Sequence, residues 1–297
     1  MTRPTVVVVG DVINDVVVRP LETVTIDSDT RSQISAQPGG SAANTACWLG
    51  HLGADAVFVG RVGADDVNYH REHFAEFGVR AELVVDEHAP TGSIVIIVDG
   101  AGHRTMYTDR GANLNLRVED IGADLLDSAQ LLHVTAYSLF EPEVRDATLS
   151  MLDRARTAGV DFSIDPSSVA FLREHGTEQF FEWSDGARLI FPNREEAEYL
   201  TGKSDPVAAA RALCDRYPVV VITLDAGGAV VAERGVEPVR VAAKRITAVD
   251  PTGAGDSFCA GFLTEWLRGF DIVSAAEHGS RAAAKAVTKM GARPSGS

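Results

Sequence analysis

The chain has 297 residues, 45% of them hydrophobic, so it is long enough to bury a large core as one α/β domain or as a domain with an appendage. Its 27 Lys and Arg against 42 Asp and Glu give a formal net charge of −15, which disfavours nucleic acids and anionic membranes as partners because both require a basic surface. Three scattered cysteines do not make a disulfide framework or a zinc site, and the sequence shows no membrane-spanning run and no signal peptide. These features predict a soluble protein of the reducing cytoplasm.

The first predicted element is a strand made of four valines at residues 6–9, which continues into Gly10 and Asp11. An unbroken valine run is typical of a parallel strand that is buried on both faces. Ligand-binding groups of open α/β sheets gather at the carboxyl ends of such strands. We therefore expect Asn14 and Asp15, which follow directly, to lie at the mouth of a site.

The next segment predicts a small β excursion from the main sheet. Residues 16–18 and 30–37 read as two short, half-buried strands around a polar loop. Residues 93–98 and 104–107 read as a hairpin and are the natural partner of that excursion. We therefore expect one domain, residues 1–297, with a β lid formed by about 14–38 and 91–110.

Between and after these segments, strands and helices alternate. A turn at Gly39 and Gly40 opens a helix whose first turn contains Asn44. Short apolar strands separated by helical stretches are predicted at residues 57–59, 131–134, 162–164, 189–191 and 219–222. This alternation predicts a doubly wound, mainly parallel sheet flanked by helices. The last helix is predicted at about 278–289, ending before Gly291.

Two polar segments follow predicted strands and have alternative interpretations. Asn193 and Glu196 have the spacing of a capping box at a helix start, but a carboxylate there can also hold the water shell of Mg²⁺. The segment at 223–228 lies where a nucleotide would cross the sheet edge, although its double glycine taken alone is more typical of a hairpin turn.

The most informative segment is Asp-Pro-Thr-Gly-Ala-Gly-Asp at residues 250–256, which leads into an amphipathic helix. Small residues at a helix start let a ligand approach unpaired N–H groups, and such a terminus is a ready site for phosphate. Asp256 lies in the first turn of this predicted anion site. It either caps the helix or takes a proton from a nucleophile that attacks the phosphate.

The order of these motifs resembles the ribokinase-like (PfkB) carbohydrate kinase family, from the first strand to Gly291. The matching motifs are an early aspartate, a Gly-Gly-x-x-x-Asn turn, a Gly-Ala-Asn, an Asn-x-x-Glu and the Asp-x-x-Gly-Ala-Gly-Asp signature. The resemblance implies an ATP-dependent kinase that transfers the γ-phosphate of ATP to a primary hydroxyl of a small carbohydrate. It also implies a homodimer through the lid, whose exposed edge strands require a partner.

The resemblance also implies a role for each matching residue. Asp256 would be the catalytic base, and the N–H groups of Gly253, Ala254 and Gly255 would receive the transferring phosphoryl group. The substrate would be bound by Asp15, Gly39, Gly40, Asn44 and Asn113. ATP would be bordered by Asn193, Thr223, Asp225, Gly228 and Ser280, although the family usually has glycine in place of Asp225 and a larger polar residue in place of Ser280. Glu196 would bind Mg²⁺ through water. K⁺ would be held by Asp250, the carbonyl oxygen of Thr252, carbonyls around Ala286 to Gly291, and Ser295.

Three alternatives remain at this point. A nucleoside kinase of the adenosine or pseudouridine type shares the fold and signature. It needs an apolar slot for the base, which Phe140 and lid residues could supply. An acid-sugar kinase of the 2-keto-3-deoxygluconate type would hold a carboxylate with Arg104 or Arg110. A non-enzymatic sugar-binding regulator is disfavoured because Asp256 and the glycine turn before it are intact.

Overall fold

The computed structural model describes residues 3–101 and 103–294, which form two β-sheets and flanking helices. The strands are β1 (Thr5–Val9), β2 (Ile13–Pro20), β3 (Ser32–Gly39), β4 (Asp55–Gly63), β5 (Arg80–Asp86), β6 (Thr91–Val98), β7 (Arg104–Gly111), β8 (Leu131–Thr135), β9 (Asp161–Asp165), β10 (Leu189–Ile190), β11 (Val219–Thr223), β12 (Ala229–Glu233) and β13 (Val239–Val241). The helices are α1 (Ser41–His51), α2 (Val67–Glu76), α3 (Tyr137–Phe140), α4 (Pro142–Ala158), α5 (Val169–His175), α6 (Thr177–Trp183), α7 (Arg194–Thr201), α8 (Pro206–Leu213), α9 (Ala254–Leu267) and α10 (Ile272–Ala286). Within the described ranges, no helix is long and apolar enough to cross a membrane.

The large sheet has nine strands in the order β13-β12-β11-β10-β9-β8-β1-β4-β5. Strands β11 to β5 in this order pair in parallel, whereas β12 and β13 are antiparallel additions at one edge. The valine run explains the central place of β1, because a strand buried on both faces must have helices above and below it. Val6 to Val9 are all fully buried.

Helices cover both faces of this sheet, as the burial of β1 on both sides requires. Val7 and Val9 belong to a core cluster with α4 to α8, and Val6 and Val8 belong to a second cluster with α1, α2, α9 and α10. The predicted start of the last helix was wrong. Helix α10 begins at Ile272 because the carboxylate of Asp271 accepts hydrogen bonds from the N–H groups of Val273 and Ser274.

A separate four-stranded sheet, the small sheet, has the order β3-β2-β6-β7 and contains the segments predicted for the lid. Its central pair β2 and β6 is parallel, and each outer pair is an antiparallel hairpin. Asp66, just before α2, bonds to both central strands near their first residues. Its carboxylate accepts hydrogen bonds from Asn14 Nδ2, at 2.5 Å, and from Thr91 Oγ1.

Candidate active site

Two cavities meet at the N-terminus of α9. The sheet cavity, of 570 Å³, lies between the small sheet and the carboxyl ends of the parallel strands. The helix cavity, of 580 Å³, lies between the turn after β11 and helices α9 and α10. Thr223, Gly255 and Phe258 line both cavities. The helix start that the sequence singled out is therefore the junction between two spaces of ligand size.

The backbone at this junction depends on glycine. Gly253 precedes α9 with φ 75°, and a Cβ at this position would lie 2.6 Å from the carbonyl oxygen of Ala292. Gly255 is different, because a Cβ there would meet no atom within 4 Å and would enter open space at the junction. Among the described residues, no side chain caps α9. The first N–H groups of a helix have no intrahelical partner, so this terminus can bind an anion.

Asp256 faces the sheet cavity and does not cap its helix, so the capping interpretation is not supported. Ser41 Oγ donates to Asp256 Oδ1 at 2.7 Å, and Asn44 Nδ2 donates to Oδ2 at 3.0 Å. Burial raises the pKa of Asp256 to about 6, although these two hydrogen bonds act in the opposite direction. A carboxyl group with this pKa is ionised at neutral pH and is basic enough to take a proton from a hydroxyl in a transition state.

The predicted substrate residues lie around the same cavity, except for Asn113. Asp15, Gly40 and Asn44 line it, and Gly39 packs against Asp15 so closely that a Cβ would collide with the carboxylate. Burial raises the pKa of Asp15 to about 7, with the charge of Arg293 lowering it and that of Asp256 raising it.

Asn113 is buried behind the cavity wall and bonds to backbone atoms. Its Nδ2 donates to the carbonyl oxygens of Val12 and Arg110, at 2.8 Å each, and its Oδ1 accepts from Val12 N at 2.9 Å. Because the amide group is used in these three bonds, we no longer expect Asn113 to contact the substrate. It instead joins the chain after β1 to the chain after β7.

The predicted nucleotide residues divide between the two cavities. Four of them line the helix cavity: Thr223, Asp225, Gly228 and Ser280. Asp225 has φ 50°, in the left-handed region where glycine is favoured, which agrees with the glycine usual in the family at this place. The hydroxyl of Ser280 is buried and has no hydrogen-bond partner within residues 3–101 and 103–294. It is therefore available to a ligand in the helix cavity.

Asn193 lines the sheet cavity together with Glu196, and both also form the capping box at the start of α7. Glu196 N donates to Asn193 Oδ1 at 2.9 Å, and Asn193 N donates to Glu196 Oε2 at 2.8 Å. Burial raises the pKa of Glu196 to about 7. The capping interpretation is thus correct for the backbone, and it leaves the carboxylate at the cavity wall.

Sequence reasoning missed two charged residues of the sheet cavity, Asp11 and Asp165, whereas Arg110, the candidate for an acid sugar, also lines it. Asp165 ends β9, and its pKa is raised well above the ordinary value by burial and then by the charges of Glu196 and Asp256. Asp11 follows β1. The available signal was position, because both aspartates come at the carboxyl end of a predicted parallel strand.

Arg110 is buried and paired rather than solvated. Its Nη1 donates to Asp11 Oδ2, and its Nε donates to Glu141 Oε1 at 3.1 Å. Its guanidinium carbon lies 4.9 Å from the centre of the Tyr137 ring, within the range of a cation–π contact. The positive charge of Arg110 is therefore already balanced by two carboxylates of the chain.

The residues predicted for a monovalent cation come together, but with an arginine among them. Asp250 accepts hydrogen bonds from the backbone N–H groups of Thr252 and Gly291, and the guanidinium of Arg104 bonds to Asp250 and Thr252. Burial would raise the pKa of Asp250, but the Thr252 and Gly291 hydrogen bonds and the charge of Arg104 hold it below the ordinary value. Ser295, also predicted for this site, lies outside the described residues.

Two cavities that join at a glycine-rich helix start, with a carboxylate beside the join, define a small-molecule kinase on a doubly wound sheet. The family model of the pfkB family carbohydrate kinases matches residues 3–297, and the chain belongs to this family. The predicted family and fold class are confirmed, and the chain is a phosphotransferase. Membership in a kinase family implies ATP and a divalent metal ion.

Individual relatives agree with this assignment. The chain is 30% identical over 251 residues to an uncharacterized sugar kinase of Archaeoglobus fulgidus, covering 82% of this chain and 96% of that protein. It is 34% identical over 251 residues to ribokinase of Mus musculus, covering 80% of this chain and 74% of that protein. The crystal structure of adenosine kinase from Sinorhizobium meliloti is similar with a TM-score of 0.87 and 26% identity, covering 99% of this chain and 96% of that one.

Proposed function

We propose that this protein is an ATP-dependent kinase that phosphorylates a primary hydroxyl of a small neutral sugar. The observation that carries the proposal is the junction at α9, where the two cavities share Gly255 and where Asp256 borders the sheet cavity. ATP would occupy the helix cavity, with the buried hydroxyl of Ser280 available to the nucleotide. The sugar would occupy the sheet cavity beside Asp15 and Asn44.

In this arrangement the chain positions the reactants and stabilises charge, which is most of what phosphoryl transfer requires. The sugar oxygen bonds to the γ-phosphorus while the bond from that phosphorus to the β–γ bridging oxygen breaks, and ADP leaves. The proton of the sugar hydroxyl passes to the carboxylate of Asp256. The N–H groups of Gly253 and Gly255 at the start of α9 stabilise the negative charge of the transferring group, whereas that of Ala254 donates to the carbonyl oxygen of Pro251 at 3.2 Å.

A divalent ion fits the remaining carboxylates of the sheet cavity. Asp165 and Glu196 are buried there with raised pKa values, which means that each carboxylate lacks sufficient compensation by a positive charge. Within the described residues there is no group of three or more His, Cys, Asp or Glu side chains able to hold a metal alone. Mg²⁺ commonly binds through one or two carboxylates plus waters and phosphates, and it would neutralise phosphate charge when bound.

The charges favour a neutral acceptor over an acid sugar. Five carboxylates line the sheet cavity, at Asp11, Asp15, Asp165, Glu196 and Asp256. The nearby Arg110 is bonded to Asp11 and Glu141, and Arg104 is bonded to Asp250. A substrate carboxylate would have to displace one of these pairs inside a negatively charged cavity, which is costly.

A nucleoside is the second candidate because one wall of the sheet cavity is aromatic. Tyr137 and Phe171 line it, together with the apolar residues Ile94, Ile96 and Met106 of the small sheet. Such a wall can stack on a base, as the similarity to an adenosine kinase structure also suggests. Phe140, predicted for this slot, is instead buried in the core and stacks on Phe171 from behind.

We further propose that the small sheet acts as a lid over the sugar, because its inner residues Ile94, Ile96 and Met106 line the cavity. Excluding water would protect ATP from hydrolysis. The outer face of the same sheet would join two subunits in a homodimer. The three cysteines are free and buried, which agrees with a cytoplasmic location.

The test is a coupled ADP-release assay over pentoses, hexoses, keto-acid sugars and nucleosides. We expect turnover with at least one neutral sugar or nucleoside, and a loss of about 10²- to 10⁴-fold in kcat for Asp256→Asn, because the amide cannot accept the proton. Asp215→Asn, at an exposed position after α8, is the matched control and should retain full activity. Turnover that survives in Asp256→Asn, or no turnover with any member of the panel, would contradict the proposal.

A further inference from the structure

Arg104 connects the small sheet to the turn that precedes α9. It is the first residue of β7, yet its guanidinium reaches residues almost 150 positions later in the chain. Nη2 donates to Asp250 Oδ1 at 2.5 Å, and Nη1 donates to Thr252 Oγ1. The side chains of Arg104 and Asp250 are 21% and 5% exposed, so the contact is largely shielded from water. A shielded ion pair is a stronger constraint than a surface one.

Four hydrogen bonds already engage the carboxylate of Asp250 in this arrangement. Oδ1 accepts from Thr252 N at 3.0 Å, from Thr252 Oγ1 at 2.6 Å and from Arg104, while Oδ2 accepts from Gly291 N at 3.1 Å. With three donors, Oδ1 has no lone pair left for another ligand, whereas Oδ2 accepts one hydrogen bond. Among the described residues, the guanidinium of Arg104 therefore takes the place beside Asp250 Oδ1 that the family resemblance gives to a monovalent cation, and a K⁺ ion beside the guanidinium would be repelled.

We propose that Arg104 is the resident cation of the Asp250 turn and makes this kinase independent of K⁺. The guanidinium balances the charge of Asp250 and holds Thr252, and this turn continues directly into Gly253 at the start of α9. Arg104 is thus a positioning residue that acts through Asp250 and Thr252. Its catalytic consequence rests on the proposed kinase activity.

The location of Arg104 adds a coupling between the two parts of the site. Thr252 lines the sheet cavity, as do Ile96 of β6 and Met106 of β7, the strand that begins with Arg104. When the small sheet is seated over the cavity, the guanidinium reaches the turn. If the sheet moves away, Asp250 keeps its hydrogen bonds to Thr252 and Gly291 but loses its counter-charge, which is unfavourable for a shielded carboxylate. The contact of Arg104 therefore links the position of the small sheet to the turn that precedes α9.

The first test is the cation dependence of turnover at constant ionic strength in KCl, NaCl and tetramethylammonium chloride. Wild type should turn over at the same rate in all three salts. Arg104→Ala should lose about 10- to 100-fold in tetramethylammonium chloride, because the turn is misplaced, and should regain part of this in KCl. Arg104→Lys should keep the independence of wild type. Arg31→Ala is the control, because Arg31 pairs with Glu22 in the exposed loop between β2 and β3, away from the Asp250 turn.

A second measurement does not depend on catalysis. The Tm of Arg104→Ala should rise in KCl relative to tetramethylammonium chloride, because an ion that binds the folded state alone stabilises it, and the Tm of wild type should not. Strong activation of wild type by K⁺ would overturn the inference while leaving the kinase proposal intact. The inference would also be overturned if the rate and the Tm of Arg104→Ala responded to K⁺ no more than those of wild type. If no acceptor is turned over, the kinase proposal fails. The Tm comparison still shows whether Arg104 occupies the place of a monovalent cation.

Discussion

Ser41 donates a hydrogen bond to the carboxylate that we propose as the base, and this bond favours the ionised form of Asp256. Activity requires that form, so kcat/KM should fall as the pH decreases through about 6. Removing the donor in Ser41→Ala should raise the pKa and move the acidic limb to higher pH by about one unit, because a hydrogen bond to a charged group is worth roughly 1.5–3 kcal/mol and solvent will replace part of it.

A profile of kcat/KM between pH 5 and 8.5 measures this shift in the free enzyme. Ser35→Ala, an exposed serine of β3, should leave the limb in place. An acidic limb that stays fixed or moves to lower pH in Ser41→Ala would mean that Ser41 does not stabilise the ionised base.

At the residue scale, the sequence predicts which residues belong to the site better than it predicts their hydrogen-bond partners. The signature at 250–256 and the turn at 39–44 indicate Asp256 and Asn44 separately, and the structure brings them within hydrogen-bond distance. Ser41 was not predicted because its bond to Asp256 spans 215 positions and depends on how α1 and α9 pack. For the same reason, a linear pattern cannot distinguish a solvated arginine from Arg104, which is paired with Asp250.

At the element scale, the start of α9 makes a prediction in which two glycines behave oppositely. Gly253→Ala puts a side chain at φ 75° and against the carbonyl oxygen of Ala292, so it should lower the Tm by about 2–8 °C, at roughly 1–2 kcal/mol for the left-handed conformation alone. Gly255→Ala has open space around its Cβ and should leave the Tm unchanged. It should nevertheless reduce kcat by about tenfold or more, because the methyl group occupies the phosphate position.

Calorimetry and the ADP-release assay on the two variants separate these effects. Ala260→Gly in the buried part of α9 controls for a simple change of helix propensity and packing. A Gly255→Ala protein with wild-type activity would show that the phosphate does not approach this part of the helix.

Strands could be predicted from the sequence where they are buried along their whole length. The central strands read as continuous apolar runs because both of their faces are covered. The edge strands β5 and β13 were not predicted, since their exposed positions interrupt the apolar pattern with charged residues, as in Arg-Ala-Glu-Leu-Val-Val-Asp of β5. The start of α10 was misplaced because it depends on the cap at Asp271, outside the apolar stripe.

At the scale of the whole molecule, the site is assembled from distant parts of the chain. Trp48 Nε1 donates to the carbonyl oxygen of Ala292 at 2.8 Å, and Arg293 Nη2 donates to that of Gly39 at 3.1 Å. The chain beyond α10 therefore supports the turn that carries Ser41 and Asn44. These long-range hydrogen bonds depend on the complete packing of both sheets. The order of the motifs could therefore indicate the chemistry but not these contacts.

The outer face of the small sheet gives the prediction for the assembly. Ile34, Val95 and Tyr107 share this face through the register of β3, β2, β6 and β7, and they are 67%, 37% and 60% exposed. An exposed apolar face favours burial against a partner, and a two-fold dimer buries the same face of both copies. Sedimentation equilibrium should therefore give about twice the chain mass of 31.6 kDa.

The double substitution Ile34→Glu and Tyr107→Glu should convert the protein to single chains at micromolar concentration, because like charges would meet across the two-fold axis. Since both side chains are exposed in the single chain, the stability of each subunit should change little. Ile26→Glu, 87% exposed in the loop between β2 and β3, is the control and should stay dimeric. A wild-type mass of one chain across this concentration range would show that the apolar face stays open.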